Sequence, residues 1–138
     1  MTVGWRGKPV WIINRTTEML DTLKKCTEKV SDPNSEKPMQ PVYCKNEARS
    51  IKPSILVAVG ICTHLGCSPT AKFKTGSASE IDADWLGGFF CPCHGSTFDL
   101  AGRVFKGKTA PDNLEVPAHK YMDDTSIVIG IGQDGKEA

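Results

Sequence analysis

Cys62-Thr63-His64-Leu65-Gly66-Cys67 and Cys91-Pro92-Cys93-His94-Gly95-Ser96 are the two stretches on which the reading of this chain turns. Between them they hold four of the six cysteines and two of the three histidines. Each follows a run that reads as a buried strand. The first, Ile55–Ile61, is continuous and rich in β-branched residues; the second, Trp85–Phe90, carries two glycines that suggest a bulge or a close backbone approach. Two strands presenting two loops are a rigid way to hold a metal centre.

Outward from these loops the pattern is mostly β with one helix. Val10–Ile13 reads as a strand entered from a Gly7-Lys8-Pro9 turn, and Leu114–Val116 and Ser126–Ile129 as later strands. Thr16 or Thr17 can cap a helix whose apolar positions are Met19, Leu20, Leu23, Cys26 and Val30. Ser31–Ser35 ends it and opens a polar loop to about Pro41. Gly130–Gly135 reads as a frayed tail.

The 138 residues amount to one domain. Seventeen basic against sixteen acidic side chains leave a charge of +1, which argues against nucleic acid as a partner. The longest apolar run, Ile55–Cys62, is far short of the roughly 20 residues that span a bilayer, and no signal-peptide pattern follows Met1. The chain as written is expected to be soluble, on its own or as the soluble part of something anchored.

The loops offer two thiolates and two imidazoles as Cys-x-His and Cys-x-x-His. Two irons bridged by sulfide need four protein ligands, and two histidines on one iron ease its reduction. This assigns Cys62, His64, Cys91 and His94 to a [2Fe–2S] cluster. Gly66 and Gly95 allow the loops to turn their N–H groups toward sulfur, and Ser96 can donate a hydroxyl hydrogen bond to a bridging sulfide. Cys67 and Cys93 sit at matching ends of the loops, where a disulfide would clip them together. The rival is structural zinc, which usually pairs cysteines at two-to-four-residue spacing and histidines at three-to-five. A papain-like Cys–His nucleophile would leave the other cysteines superfluous.

The two boxes resemble those of Rieske iron–sulfur proteins, and more narrowly those of the Rieske subunits of quinol–cytochrome c oxidoreductases of bacterial type (respiratory complex III). Trp5–Val10, Gly102-Arg103-Val104 and Asn113–Pro117 extend the likeness. It implies a Rieske [2Fe–2S] fold. An antiparallel β-sandwich base domain (1–60 and 105–138), with one N-terminal helix, would receive a small β cluster-binding subdomain (61–104). It implies that Cys62 and Cys91 bind the inner iron, that His64 and His94 bind the outer one, and that Cys67 and Cys93 form the bridging disulfide. Leu65 would belong to an apolar tip docking at the quinol site of cytochrome b. His94 would take a proton from quinol while the cluster takes an electron, to be passed to a c-type cytochrome. As the redox subunit of such an enzyme the chain would work on the periplasmic side of a bacterial inner membrane, held by an anchor not in this sequence; alone it would be only an electron carrier.

Rivals within the resemblance are a soluble Rieske ferredoxin, which generally lacks the extra cysteine pair, and the small subunit of arsenite oxidase. Two departures stand out. Phe98 occupies a position where many members have a tyrosine that donates to a ligand sulfur, and Lys108-Thr109-Ala110-Pro111 replaces a Pro-Ala-Pro loop, which leaves the stiffness of that loop open. Elsewhere Cys26 reads as a buried free thiol, with a Cys26–Cys44 disulfide an open alternative. His119 reads as a surface histidine, Asn14-Arg15-Thr16 as a chance sequon, and Asp82 and Asp84 as carboxylates without a chemical role.

Overall fold

The computed structural model describes residues 1–81 and 83–132. Among the described residues the chain is mostly β, in three small antiparallel sheets with one short α-helix. Strands β1 (Thr2–Trp5), β2 (Lys8–Asn14) and β3 (Ile55–Val59) form the first sheet in that order. β1 and β2 are joined at Arg6 and Gly7, both at positive φ (51° and 75°), the conformation of tight hairpin turns whose twist matches the strands. The expected turn therefore lies one to two residues earlier than Gly7-Lys8-Pro9, and the strand is longer than Val10–Ile13.

β2 pairs with β3 in the register Val10↔Val59, Trp11↔Ala58, Ile12↔Val57. One face buries Val10, Val57 and Val59 against Ile127 and Ile129 of a separate hairpin, β7 (His119–Asp123) and β8 (Ser126–Ile129). The other face, through Leu56 and Ala58, joins the core that contains Cys62 and Cys91. β4 (Thr70–Lys72), β5 (Gly88–Phe90) and β6 (Thr97–Phe98) make the remaining sheet.

The helix, α1 (Thr17–Cys26), is capped by Thr16, whose hydroxyl accepts the Met19 N–H at 3.2 Å. It ends four residues before Val30: a 3-10 turn over Thr27–Lys29 tightens the chain, and Val30 bridges instead to Phe105. Of the second apolar run only Gly88–Phe90 pairs, because Gly87 at φ 102° turns the backbone. Leu114–Val116 is no strand. It runs beside β3 through a single bond, Val59 N–H to the Glu115 carbonyl at 2.7 Å, and Val116 turns its own N–H to Met39. Strands β1, β4, β6 and β7 were not expected from the pattern, since they are short or too polar to alternate. At the C-terminal side Gly130 is not frayed: its N–H binds the Ala118 carbonyl at 2.7 Å and it packs under Trp5. The rest of the expected tail, from 133 onward, and Asp82 lie outside the described residues.

His119 is not on the surface. It is 1% exposed, with Nδ1 2.8 Å from the Pro117 carbonyl and its ring edge-on to Tyr43. Burial lowers its pKa below the usual 6.5, against the opposing pull of that carbonyl. Below about pH 6.5 the unfolded chain therefore takes up a proton that the folded chain refuses, and stability falls as pH drops. Urea unfolding between pH 7.5 and 5.5 is expected to show this loss, at most about 1.4 kcal/mol per pH unit. His119→Asn, whose amide can still donate to Pro117, is expected to flatten that part of the slope; equal slopes in both proteins would refute the assignment.

Candidate metal centre

The two loops have the same backbone design. In the first, the Cys62 N–H donates to the Cys67 carbonyl (2.7 Å) and the Gly66 N–H to the Cys62 carbonyl (3.2 Å). In the second, Cys91 N–H donates to Ser96 (2.8 Å) and Gly95 N–H to Cys91 (2.9 Å). Gly66 and Gly95 have φ of 80° and 79°, a left-handed conformation that costs glycine nothing and other residues strain. The equivalence follows from the sequence: each loop leaves an apolar run at a cysteine and places glycine four positions on.

β3 delivers the first loop beneath Trp11. A Cβ on Gly60 would lie 2.2 Å from the Trp11 ring, so only glycine lets the strand leave there. Trp11 in turn stacks on Phe89 of β5 at 4.9 Å, which ties the first sheet to the strand that delivers the second loop. Cys62 and Cys91 end up 3% and 1% exposed in one core with Phe89 and Phe98.

The four expected ligand residues meet in two pairs. Cys62 and Cys91 are both free thiols in hydrogen-bonding contact. The His64 and His94 rings meet edge to face with centroids 4.7 Å apart, His64 half-buried and His94 exposed. Burial raises the Cys62 pKa, and the Cys91 sulfur pushes the same way, against the His64 N–H and the Ser96 hydroxyl, which both favour the thiolate. Two adjacent thiolates are stable only beside compensating positive charge, which a metal centre brings. The Nδ1 of His64 is buried and has no hydrogen-bond partner. A buried ring nitrogen without a partner beside paired thiols fits a metal ligand.

Cys67 and Cys93 form a disulfide across a separation of 26 residues. The sulfurs of Cys67, Cys91 and Cys93 lie within 4.8 Å of one another, but two of the three are bonded together and offer no thiolate, so that trio is not a ligand set. Leu65 caps the first loop and is 67% exposed. Cys26 and Cys44 are unpaired and buried, and burial pushes both thiols up to about 11, so neither is a ready nucleophile. Asp84, the described member of the acidic pair, lines a cleft with Trp85 and Lys29 to which none of the four residues contributes.

A third segment braces both loops, and sequence reasoning credited it with no such role. The Thr63 hydroxyl donates to the Asp112 carbonyl at 2.6 Å and accepts its N–H at 3.3 Å. Ser96 Oγ accepts the Ala110 N–H at 3.0 Å and lies 2.9 Å from Thr109 Oγ1. Lys37 reaches across to the Asp112 carboxylate at 2.7 Å. These bonds and the burial of Ala110 (4% exposed) hold the segment with Thr109 in place of the first proline and Pro111 as its one ring.

Comparison with known proteins agrees with this geometry. A match to the family described as "Rieske [2Fe-2S] domain" covers residues 28–127. The chain belongs to the Rieske [2Fe–2S] family. Its cofactor is accordingly a [2Fe–2S] cluster, and the paired buried thiols and the buried, partnerless imidazole nitrogen fit one. This Rieske chain is 58% identical over 130 residues to the ubiquinol-cytochrome c reductase iron-sulfur subunit of Allochromatium vinosum, and 42% identical over 130 residues to that of Rhodospirillum rubrum. It is 40% identical over 131 residues to the mitochondrial cytochrome b-c1 complex subunit Rieske-3 of Nicotiana tabacum. Each alignment covers 94% of this chain, which spans 62%, 63% and 41% of those relatives' lengths.

The disulfide closes a loop of 26 residues, for which chain entropy gives about 3.5 kcal/mol. Cys67→Ala/Cys93→Ala is expected to lose stability of that order in denaturant unfolding. A loss under about 1 kcal/mol would mean that the bracing segment alone holds the loops.

Proposed function

We propose that Cys62, His64, Cys91 and His94 hold the cluster, and that the chain accepts an electron and a proton from quinol and passes the electron to a c-type cytochrome. The observation that carries this reading is a pair of buried thiols and a pair of touching imidazoles on the same two loops, with His94 and Leu65 exposed. We further propose that residues 61–104 act as the cluster-binding subdomain, with 1–60 and 105–138 as its base. The partners would be cytochrome b and a c-type cytochrome of the same membrane complex.

When bound, the cluster supplies a one-electron acceptor and makes the outer ring nitrogens more acidic. His94, exposed at the tip, presents its outer nitrogen to the quinol hydroxyl, accepts its hydrogen bond and takes its proton. His64 is half-buried and packs its ring against His94, which fixes the orientation of that ring. Leu65 and the disulfide-clipped loops offer an apolar collar that keeps bulk water from the exchanged proton. The Ser96 hydroxyl donates toward sulfur and favours the more negative, reduced state. The disulfide calls for an oxidising space such as the periplasm, and there the burial of Cys26 and Cys44 protects them from stray oxidation.

Titrating the reduction potential of the loaded protein against pH tests the reading. The potential is expected to be positive and to fall as pH rises through two histidine ionisations, approaching about 59 mV per pH unit for each proton lost. A flat potential near −150 mV would move the assignment to a ferredoxin, and a colourless zinc protein would end it. Phe98, buried in the same core as both ligand cysteines, offers a second check. Phe98→Tyr adds a hydroxyl worth about 1.5 kcal/mol as a donor to a charged sulfur, and the potential is expected to rise by about 60 mV; no rise would show that the hydroxyl finds no sulfur.

A further inference from the structure

Ser96 is fully buried, and its hydroxyl stands at a three-way junction. The oxygen accepts the Ala110 N–H at 3.0 Å and faces the Thr109 hydroxyl at 2.9 Å, and the side chain lies near enough to Cys62 to favour its thiolate. A serine hydroxyl has one proton and two lone pairs. An amide N–H can only donate, so Ala110 takes one lone pair. The single proton then goes either to Thr109 or to the sulfur. A sulfur carrying negative charge is the stronger acceptor. The proton therefore points at the sulfur, the second lone pair is left for Thr109, and Thr109 must be the donor.

We propose that Thr109 is a positioning residue for the redox centre: its hydroxyl donates to Ser96 and so orients and strengthens the Ser96 hydrogen bond to the cluster sulfurs. The inference rests on the reading that Cys62 and its three partners hold the cluster. Hydrogen bonds in a chain polarise one another, by about 10–30% per bond. Thr109 itself is exposed while Ser96 is not, so Thr109 also forms the cover that keeps water from taking its place on Ser96. A proline at this position would supply no donor.

The test is the midpoint potential of the loaded protein at one fixed pH, with visible circular dichroism to report the cluster. Thr109→Val keeps the volume of the cover and removes the hydroxyl. It is expected to shift the oxidised-to-reduced ratio about twofold, lowering the potential by about 18 mV at 59 mV per tenfold. Thr109→Ser, which keeps the hydroxyl, is expected to hold the original value. In a Ser96→Ala background, Thr109→Val is expected to have no further effect, because the residue through which it acts is gone.

An unchanged or raised potential in Thr109→Val overturns the proposal, as does a shift that persists in full without Ser96, since Thr109 would then act through the shape of the loop. Should Thr109→Val lose the cluster, Thr109→Ala carries the same comparison. A wild-type protein with no cluster signal would overturn the ligand reading and this proposal with it. A normal wild-type signal with no Thr109 effect overturns the proposal alone.

Discussion

The turn from Asp99 to Arg103 is held by buried charge, and most of the chain is organised around it. Asp99 is 1% exposed and Arg103 0%. One carboxylate oxygen accepts the N–H groups of Ala101 and Arg103 at 2.9 Å each, and the other accepts Arg103 Nε at 2.6 Å. Arg103 then reaches the Leu23 carbonyl at 2.6 Å, near the end of α1. Two further buried guanidiniums face the same turn. Arg15 donates to the Leu100 carbonyl (2.9 Å), and Arg49 to those of Ala101 (3.1 Å) and Leu114 (2.7 Å). Burial lowers both to about 10, so they stay charged at neutral pH. Three cations against one anion would be ruinous in an apolar interior. What stabilises them is the ring of main-chain carbonyls, each bond to a charged group contributing about 1.5–3 kcal/mol. The turn begins one residue after β6, so the helix, the polar loop and the segment past 110 are all tied to the strand that leaves the second cysteine loop.

That hub explains what the sequence disclosed and what it hid. The cysteine loops were legible because ligand chemistry dictates residue type and spacing locally: two Cys–His boxes with a glycine in each can do few other things. The strands that feed them were legible because Ile55–Val59 is buried on both faces. The arginines were not, because a guanidinium in a loop is ordinarily solvated, and nothing local marks Arg49 as the donor to carbonyls some 50 to 65 residues away. His119 was misread for the same reason. Its neighbour Lys120 suggests a surface, yet the alternation of the short β7 turns the histidine inward against Tyr43. The end of α1 was overextended because Val30 continues the apolar spacing, whereas Arg103 takes the Leu23 carbonyl and Val30 pairs with Phe105.

The sulfur chemistry of six cysteines in one small domain sets a second constraint, which they meet in three different ways. Two are joined to each other, two are buried in separate places with their pKa raised to about 11, and two share the core beside the imidazoles. The third pair is the delicate one, since Cys91 lies close to the disulfide sulfurs. An uncommitted thiolate there would be a candidate for exchange with the bridge. Ligation by Cys91, as proposed above, would remove that option by occupying the sulfur.

The two loops are alike in their own hydrogen bonds but differ in what lies behind them. Thr63 grips the main chain of Asp112, while Ser96 is gripped by Ala110 and Thr109. Both contacts fall within one stretch of four residues, so a single segment sets the register of one loop against the other. The disulfide cannot do this alone, because a bridge fixes one distance and leaves the loops free to rotate about it. Lys37 holds the far end of the segment through Asp112, but its ammonium is open to solvent, which screens the pair. The burial of Ala110 and the two hydroxyl contacts therefore carry most of the bracing. This is how the segment keeps its place with Thr109 where a first proline would stand: the stiffness that a second ring would add to that of Pro111 comes here from side-chain bonds.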